Sequence, residues 1–222
     1  MKRHVLLVTG GDPPHPTALD RLDDVDLVIC ADSGLDHALA LGLRPGVVIG
    51  DMDSVGAVAL ETARREGMTI VEAPRDKDLT DTELAIAHAL EHGTRSLTIL
   101  AGGGDRIDHV LGIVSAAAHP SLTVLERLSI RLGRDSMHIV HGGRAVVLDV
   151  TIGTTLSLIP LAGHAHGVTT SGLQWPLRNE TLHASAARGV SNECSQREVT
   201  VTVESGVVAV VIPNHFPETE PS

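Results

Sequence analysis

The residues best equipped for chemistry begin in one eight-residue stretch, Val47-Val48-Ile49-Gly50-Asp51-Met52-Asp53-Ser54. Three branched apolar residues predict a buried strand, and Gly50 lets the backbone turn at its end. Two carboxylates follow with one residue between them. At the carboxyl edge of a parallel sheet, where open α/β folds bind ligands, such a pair repels itself unless a cation intervenes. All-oxygen ligands suit Mg²⁺. A solvated turn capped by Asp and Ser is the plain alternative for this stretch alone. Three further polar clusters follow apolar runs, however. Asp32 follows Leu27 to Ala31, and Asp76, Asp78 and Asp81 occupy a loop after Met68 to Glu72. Gly102-Gly103-Gly104-Asp105-Arg106-Ile107-Asp108-His109 follows Leu97 to Ala101. Four acid-bearing strand ends on one edge argue for one or two Mg²⁺ ions, which in turn hold phosphate oxygens.

The glycine run brings bare backbone N–H groups to a helix N-terminus, a phosphate-cradling arrangement. It has neither the GxGxxG spacing of dinucleotide folds nor the GxxxxGK[ST] of a P-loop. Arg106 and Lys77 stand among acids. They fit salt bridges, and equally fit charge stabilisation of a transferring phosphoryl group.

The elements that must position these groups alternate. Strands are predicted at Val5 to Thr9, Asp26 to Ala31, Val47 to Gly50, Met68 to Glu72, Leu97 to Ala101 and Leu122 to Leu125. Helices are predicted at Leu35 to Leu41, Val55 to Arg65, from Thr80 to Leu90, and from the glycine run to about Ala118. Thr80 with Glu83 three residues on matches a capping box, which puts Asp81 in the first helical turn. Alternating strands and helices imply an α/β domain with a mostly parallel sheet, residues 1–130. Beyond it come Met137 to Val140, Ala145 to Val150, Thr155 to Ile159, Val199 to Val203 and Val207 to Ile212, short β-rich runs separated by turn residues. Residues 131–222 therefore read as an all-β domain, an antiparallel sandwich or barrel. Helical pieces between Leu182 and Ala187 are the weakest feature there, and Phe216 to Ser222 reads as a frayed tail.

The 222 residues contain no Tyr, one Phe and one Trp, so the core rests on Val, Leu, Ile and Ala. A net charge of −11 without a basic run argues against a nucleic-acid partner. Cys30 and Cys194 form no metal or disulfide pattern, and no run is long enough to span a membrane. A cytoplasmic protein is the expectation. Of the thirteen histidines, only His109 falls among the candidate site residues.

Asp32-Ser33-Gly34, Gly50-Asp51-Met52-Asp53-Ser54, Lys77-Asp78-Leu79-Thr80-Asp81-Thr82-Glu83 and Gly103 to His109 resemble, in order, the motifs of thiamine pyrophosphokinases. Ser157 to Leu161, Thr169 to Leu177 and Gly189 to Glu193 look like that family's C-terminal signatures. The resemblance implies a homodimer that moves the pyrophosphoryl group of ATP to the hydroxyethyl oxygen of thiamine and releases AMP. It implies that Asp51, Asp53 and Asp81 hold Mg²⁺ with Asp32 close by. It places Gly103, Gly104, Arg106, Asp108 and His109, with Thr80, near the nucleotide. Thiamine would rest against Trp175, near Ser191 and Asn192, in a pocket completed across the dimer. Lys77 and Arg106 would neutralise charge during transfer, and either Asp78 or Asp81 would orient or deprotonate the thiamine hydroxyl. Three positions depart from the family pattern: Asp105 precedes Arg106 where Gly is usual, Gly112 stands where Asn is common, and Ser33 follows Asp32 in place of Gly.

Two other readings share these residues. Asp51-Met52-Asp53-Ser54-Val55 also resembles the DxDx[TV] of haloacid-dehalogenase-type phosphatases, although that family carries it on its first strand. A sensor that binds thiamine or nucleotide without turnover would keep the same pocket.

Overall fold

The computed structural model describes residues 3–20, 22–104 and 106–217. Asp105 and the tail from Glu218 lie outside the described residues. The chain forms two compact units: Met1–Ala116 with Arg131–Arg134 and Phe216–Ser222, and Ala117–Ile130 with Asp135–His215.

In the first unit, five strands are β1 (Arg3–Val8), β2 (Leu27–Ala31), β3 (Val47–Gly50), β4 (Thr69–Glu72) and β5 (Thr94–Ala101). All pair in parallel, in the order β4-β3-β2-β1-β5. Val5 to Val8 and Ile29 to Ala31 are fully or almost fully buried. Such unbroken apolar runs are what a parallel sheet covered by helices requires. The helices are α1 (Gly34–Ala40), α2 (Ala57–Arg65), α3 (Asp81–Glu91) and α4 (Ile107–Ala117). The expected capping box forms: the Thr80 hydroxyl accepts from the Glu83 N–H, and the Glu83 carboxylate accepts from the Thr80 N–H. Successive strands run outward from β1 to β4, and the chain then returns to lay β5 on the other side of β1. That reversal opens a crevice at the carboxyl ends of β1 and β5.

Two expectations fail in instructive ways. Leu122 to Leu125 is not a strand: Pro120–Val124 forms a 3-10 turn, with His119 Nδ1 accepting from the Ser121 N–H. Proline at the first helical position, with a side-chain cap before it, outweighs the β-branched content. Phe216, assigned to a frayed tail, is buried in the core of the first unit, with the Arg131 guanidinium 5.0 Å from its ring.

Strand β6 (Arg127–Leu132), which the sequence reading passed over, carries the chain between units. In the second unit β7 (Asp135–His141), β8 (Arg144–Asp149), β9 (Thr155–Ser171), β10 (Glu180–Leu182), β11 (Asn192–Glu193), β12 (Glu198–Val203) and β13 (Ser205–Ile212) pair antiparallel. Early β9 pairs with β13, which also pairs with β7, while Thr169 to Ser171 pair with β12, which also pairs with β8. One strand thus belongs to two sheets, and a single core of Leu156, Leu158, Val199, Val201, Val208 and Val210 is drawn from both. The expected strand Thr155 to Ile159 continues this far because Ala162 (φ 54°) and Gly163 (φ 136°) bend the chain without ending its pairing. No helix forms between Leu182 and Ala187. Among the described residues no helix is long and apolar enough to cross a membrane.

Candidate active site

The carboxyl ends of β2 and β3 bring Asp32, Asp51 and Asp53 together, each offering an oxygen within 4.8 Å of the others. Among the described residues this is the one group of three or more acids, histidines or cysteines so placed. Its backbone is unusual. Asp32 (φ 48°) and Met52 (φ 62°) both adopt the left-handed conformation that non-glycine residues avoid. The half-buried Met52 side chain packs on the core, and the Asp53 N–H donates to Asp51 Oδ1 across the turn at 3.1 Å.

The charges here are incompletely answered. Ser54 Oγ donates to Asp32 Oδ2, but Asp32 Oδ1 is buried without a hydrogen-bond partner. Burial pushes the Asp32 carboxyl above its ordinary range; the Ser54 hydroxyl opposes this, and the charges of Asp81, Asp51 and Asp53 push the same way as burial. Asp51 is held low, first by the hydrogen bond from the Asp53 N–H, with smaller help from Lys77 and Arg75. Asp81, in the first turn of α3, has Lys77 Nζ 3.0 Å from its Oδ1. That is close enough for an ion pair but out of line for a hydrogen bond, so Oδ1 also lacks a hydrogen-bond partner. Arg75 reaches Asp53 Oδ2 and stands 4.0 Å from Asp51 Oδ2.

Across the crevice, the loop after β1 (Gly10, Gly11, Asp12) meets the glycine run after β5. A Cβ on Gly102 would overlap the Asp12 carbonyl, and one on Gly104 would overlap the Asp12 carboxylate. Only glycine permits this approach. Arg106 and Asp108 pair through two bonds of 2.9 and 2.7 Å, which hold the Asp108 carboxyl far below its ordinary range. A cavity of about 540 Å³ joins the two sides: Asp32, Asp51, Arg75 and Asp81 line one wall, Gly10, Gly11, Asp108 and His109 the other.

In the second unit, Trp175 is 60% exposed although its backbone is fixed. Buried Asn192 donates from Nδ2 to the Trp175 carbonyl at 2.7 Å, and its Oδ1 accepts from the Trp175 and Glu193 N–H groups at 3.2 and 2.9 Å. Ser191 (φ 59°) is exposed beside it, its N–H donating to Ser157 Oγ at 3.0 Å. An indole face is thereby presented to solvent on a rigid seat.

Two family models match the chain. One describes the catalytic domain of thiamin pyrophosphokinase and covers residues 19–127; the other describes its vitamin B1 binding domain and covers residues 145–208. The chain belongs to the thiamin pyrophosphokinase family. Thiamine pyrophosphokinase 1 of Arabidopsis thaliana is 28% identical over 232 residues, 93% of this chain and 85% of its own length. Thiamine pyrophosphokinase of Bacillus subtilis is 25% identical, covering 92% of this chain and 96% of its own length. The crystal structure of a Bacillus subtilis thiamine pyrophosphokinase superposes with a TM-score of 0.78 at 22% identity, covering 98% of this chain and all of the other, and so shares the fold.

The first-unit residues that the thiamine pyrophosphokinase resemblance nominates fall into three groups. Asp32, Asp51, Lys77, Thr80, Asp81, Asp108 and His109 line the large cavity, and Asp53 completes the acid cluster at its edge. Gly104 and Arg106 line a small recess of about 20 Å³ beside Gly10 and Gly11, while Gly103 packs against Gly133. Asp78 is exposed and lines neither space. The Thr80 hydroxyl is occupied in the α3 cap, and the Asn192 amide is occupied by Trp175. Sequence reasoning gave no site role to Arg75 or to the Gly10-Gly11-Asp12 loop, and took Ser54 only as part of the Asp-x-Asp stretch. The loop had a usable signal: a glycine pair directly after a buried strand, facing the same edge as the other clusters.

Proposed function

We propose that the chain transfers the pyrophosphoryl group of ATP to thiamine, giving thiamine diphosphate and AMP. The observation that carries this reading is three carboxylates converging beside a two-sided glycine crevice, in a chain matched by both the catalytic and the vitamin B1 binding models. The thiamine hydroxyl oxygen forms a bond to the β-phosphorus, the bond from that phosphorus to the α–β bridging oxygen breaks, and the hydroxyl proton passes to a base.

Asp32, Asp51 and Asp53 are an all-oxygen donor set, with Asp32 Oδ1 buried and lacking a hydrogen-bond partner, which fits Mg²⁺; Asp81, which the resemblance adds to them, lies outside that three-acid group and pairs with Lys77. The bound ion would neutralise the phosphate charge that develops during transfer. The chain's own residues orient the reactants. Gly103 and Gly104 offer N–H groups to the triphosphate, and Arg106, paired with Asp108, brings a cation to the same loop. His109 and Thr80 border the nucleotide space. Asp81 lines the cavity and Asp78 does not, which supports Asp81 as the group that orients the hydroxyl and takes its proton. Lys77 steadies its charge.

Trp175 supplies a stacking face for the cationic thiazolium or the pyrimidine ring. Asn192 seats that indole, and Ser191 offers a hydroxyl at its border. In this reading residues 1–130 form the catalytic domain, and residues 131–222 bind thiamine and form the homodimer. The enzyme acts in the cytoplasm.

Incubation with ATP, Mg²⁺ and thiamine, followed by chromatography, tests the reaction. Thiamine-dependent AMP with thiamine diphosphate is the expected result. ADP or free phosphate without dependence on thiamine would overturn it, and so would thiamine quenching of Trp175 fluorescence without any turnover.

A further inference from the structure

Asp32, Asp51 and Asp53 crowd three negative charges into a space of a few ångströms, and the fold answers them with two cations held in very different ways. Lys77 is 15% exposed and locked beside Asp81 at the start of α3. Arg75 is 80% exposed on the loop between β4 and α3. Both of its ion pairs among the described residues are to the acid cluster, with Asp53 and Asp51. The guanidinium thus stands on the two carboxylates that form the Asp-x-Asp pair, where a divalent cation would compete with it. Arg75 also lines the 540 Å³ cavity that His109 and Gly11 border from the opposite side.

We propose that Arg75 gates the cation site: it is the counter-ion of Asp51 and Asp53 in the metal-free protein, and it gives them up on metal binding to pair with the nucleotide's phosphates. The inference rests on the reading of these acids as metal ligands and of the cavity as the nucleotide site. Three considerations support it. An ion pair this exposed is weak, so a divalent cation can replace it. The guanidinium is a planar fork with several donors, which matches phosphate oxygens as well as carboxylates. It also sits on a loop, so leaving Asp53 requires side-chain rotation alone and no movement of the sheet. Arg75 therefore couples the two ligands. Its departure frees the acids for the metal and delivers a positive charge to the triphosphate that arrives with it.

Mn²⁺ serves as the probe, with the free ion measured by electron paramagnetic resonance in the absence of nucleotide. Arg75→Ala is expected to bind Mn²⁺ about three-fold more tightly than the natural protein, the effect of removing a weak exposed competitor. Arg75→Gln, which keeps the length without the charge, should behave alike. Calorimetry with ATP and Mg²⁺ should show affinity for the nucleotide reduced several-fold in both variants. Unchanged or weaker Mn²⁺ binding in both would overturn the gate. Tighter Mn²⁺ binding with unchanged ATP affinity would overturn the transfer of Arg75 to phosphate. Asp53→Asn in the same titration separates the inference from its premise: if Mn²⁺ binding is undiminished there, the acids do not hold the metal, whatever Arg75 does.

Discussion

In the parallel-sheet unit, Asp32 Oδ1 and Asp81 Oδ1 are buried without hydrogen-bond partners; in the antiparallel unit, the Asn192 amide makes three hydrogen bonds around one exposed tryptophan. At Asp32 the first arrangement is costly for the chain alone, because a buried anionic oxygen wants compensation; at Asp81 the Lys77 charge supplies part of it. The second is complete before any ligand arrives. On the proposed reading, the difference follows from what each region would bind. A hard cation would be met best by oxygens that are not already occupied, such as Asp32 Oδ1, on a turn where Asp32 and Met52 both hold left-handed backbone. A flat aromatic cation needs a surface whose orientation is fixed, so the polar groups behind Trp175 are fully used. On that reading, one region would be finished by its ligand, and the other is hydrogen-bonded in full without it.

The sharpest way to break this contrast is at the acids. Asp53→Ala and Asp81→Ala should each lower Mg²⁺-dependent turnover by about a thousand-fold or more, since charge stabilisation is the main contribution in phosphoryl-type transfer. Circular dichroism should show the fold intact, because Asp53 is exposed and Asp81 is only half-buried. Near-natural turnover in both variants would remove the acid edge from the mechanism.

At the tryptophan seat the expected effects are smaller and divide differently. Trp175→Ala should raise the KM for thiamine about ten-fold with little change in Tm, as the indole is mostly exposed. Asn192→Ala leaves three backbone groups without their partner, which costs about 1–3 kcal/mol of stability per buried group left unsatisfied. It should raise the same KM while lowering Tm. If Asn192 acts through Trp175, the double variant will show a KM close to that of Trp175→Ala alone. Fully additive losses would mean that Asn192 touches thiamine directly.

How much of this was legible depends on what each residue answers to. The Asp-x-Asp pair and Asp32 stood out because a parallel sheet sends every strand end to one edge, so alternating apolar runs are enough to place acids there. The capping box at Thr80 was legible from local spacing alone, because both partners lie within one helical turn. Arg75 was not. Nothing in Ala73-Pro74-Arg75-Asp76 separates a solvated arginine from one that reaches back 22 positions to Asp53. The occupation of Asn192 by Trp175 was hidden for the same reason: it depends on antiparallel register between segments 17 residues apart. The misread Leu122 to Leu125 shows the reverse case, in which a local signal, Pro120 after His119, was present and outweighed by apolar content.

Thr80 tests whether a residue can be claimed by both structure and ligand. Thr80→Ala removes the N-cap of α3 and should cost about 1 kcal/mol. With the hydroxyl occupied by Glu83, the KM for ATP should change less than two-fold. A larger rise would assign Thr80 to the nucleotide as well.

The smallest expected effect bears most directly on the under-satisfied region. Burial raises the Asp32 carboxyl above its ordinary value, so the folded chain holds that proton more tightly than the unfolded chain does. Ionised Asp32 therefore opposes folding, and the penalty grows as pH rises from the unfolded value, about 3.9, through the raised folded value. Asp32→Asn removes the charge, tolerates the left-handed backbone, and keeps an oxygen for the Ser54 hydroxyl. In metal-free protein at pH 7, the variant should melt a few degrees above the natural chain, and the difference should shrink as pH falls toward about 3.5, where the natural carboxyl is protonated. Mg²⁺ should then raise the Tm of the natural chain more than that of the variant, because the ion answers a charge that only the natural chain carries. Equal melting temperatures at pH 7 would mean that Asp32 is already compensated, and the contrast between the two regions would lose its first half.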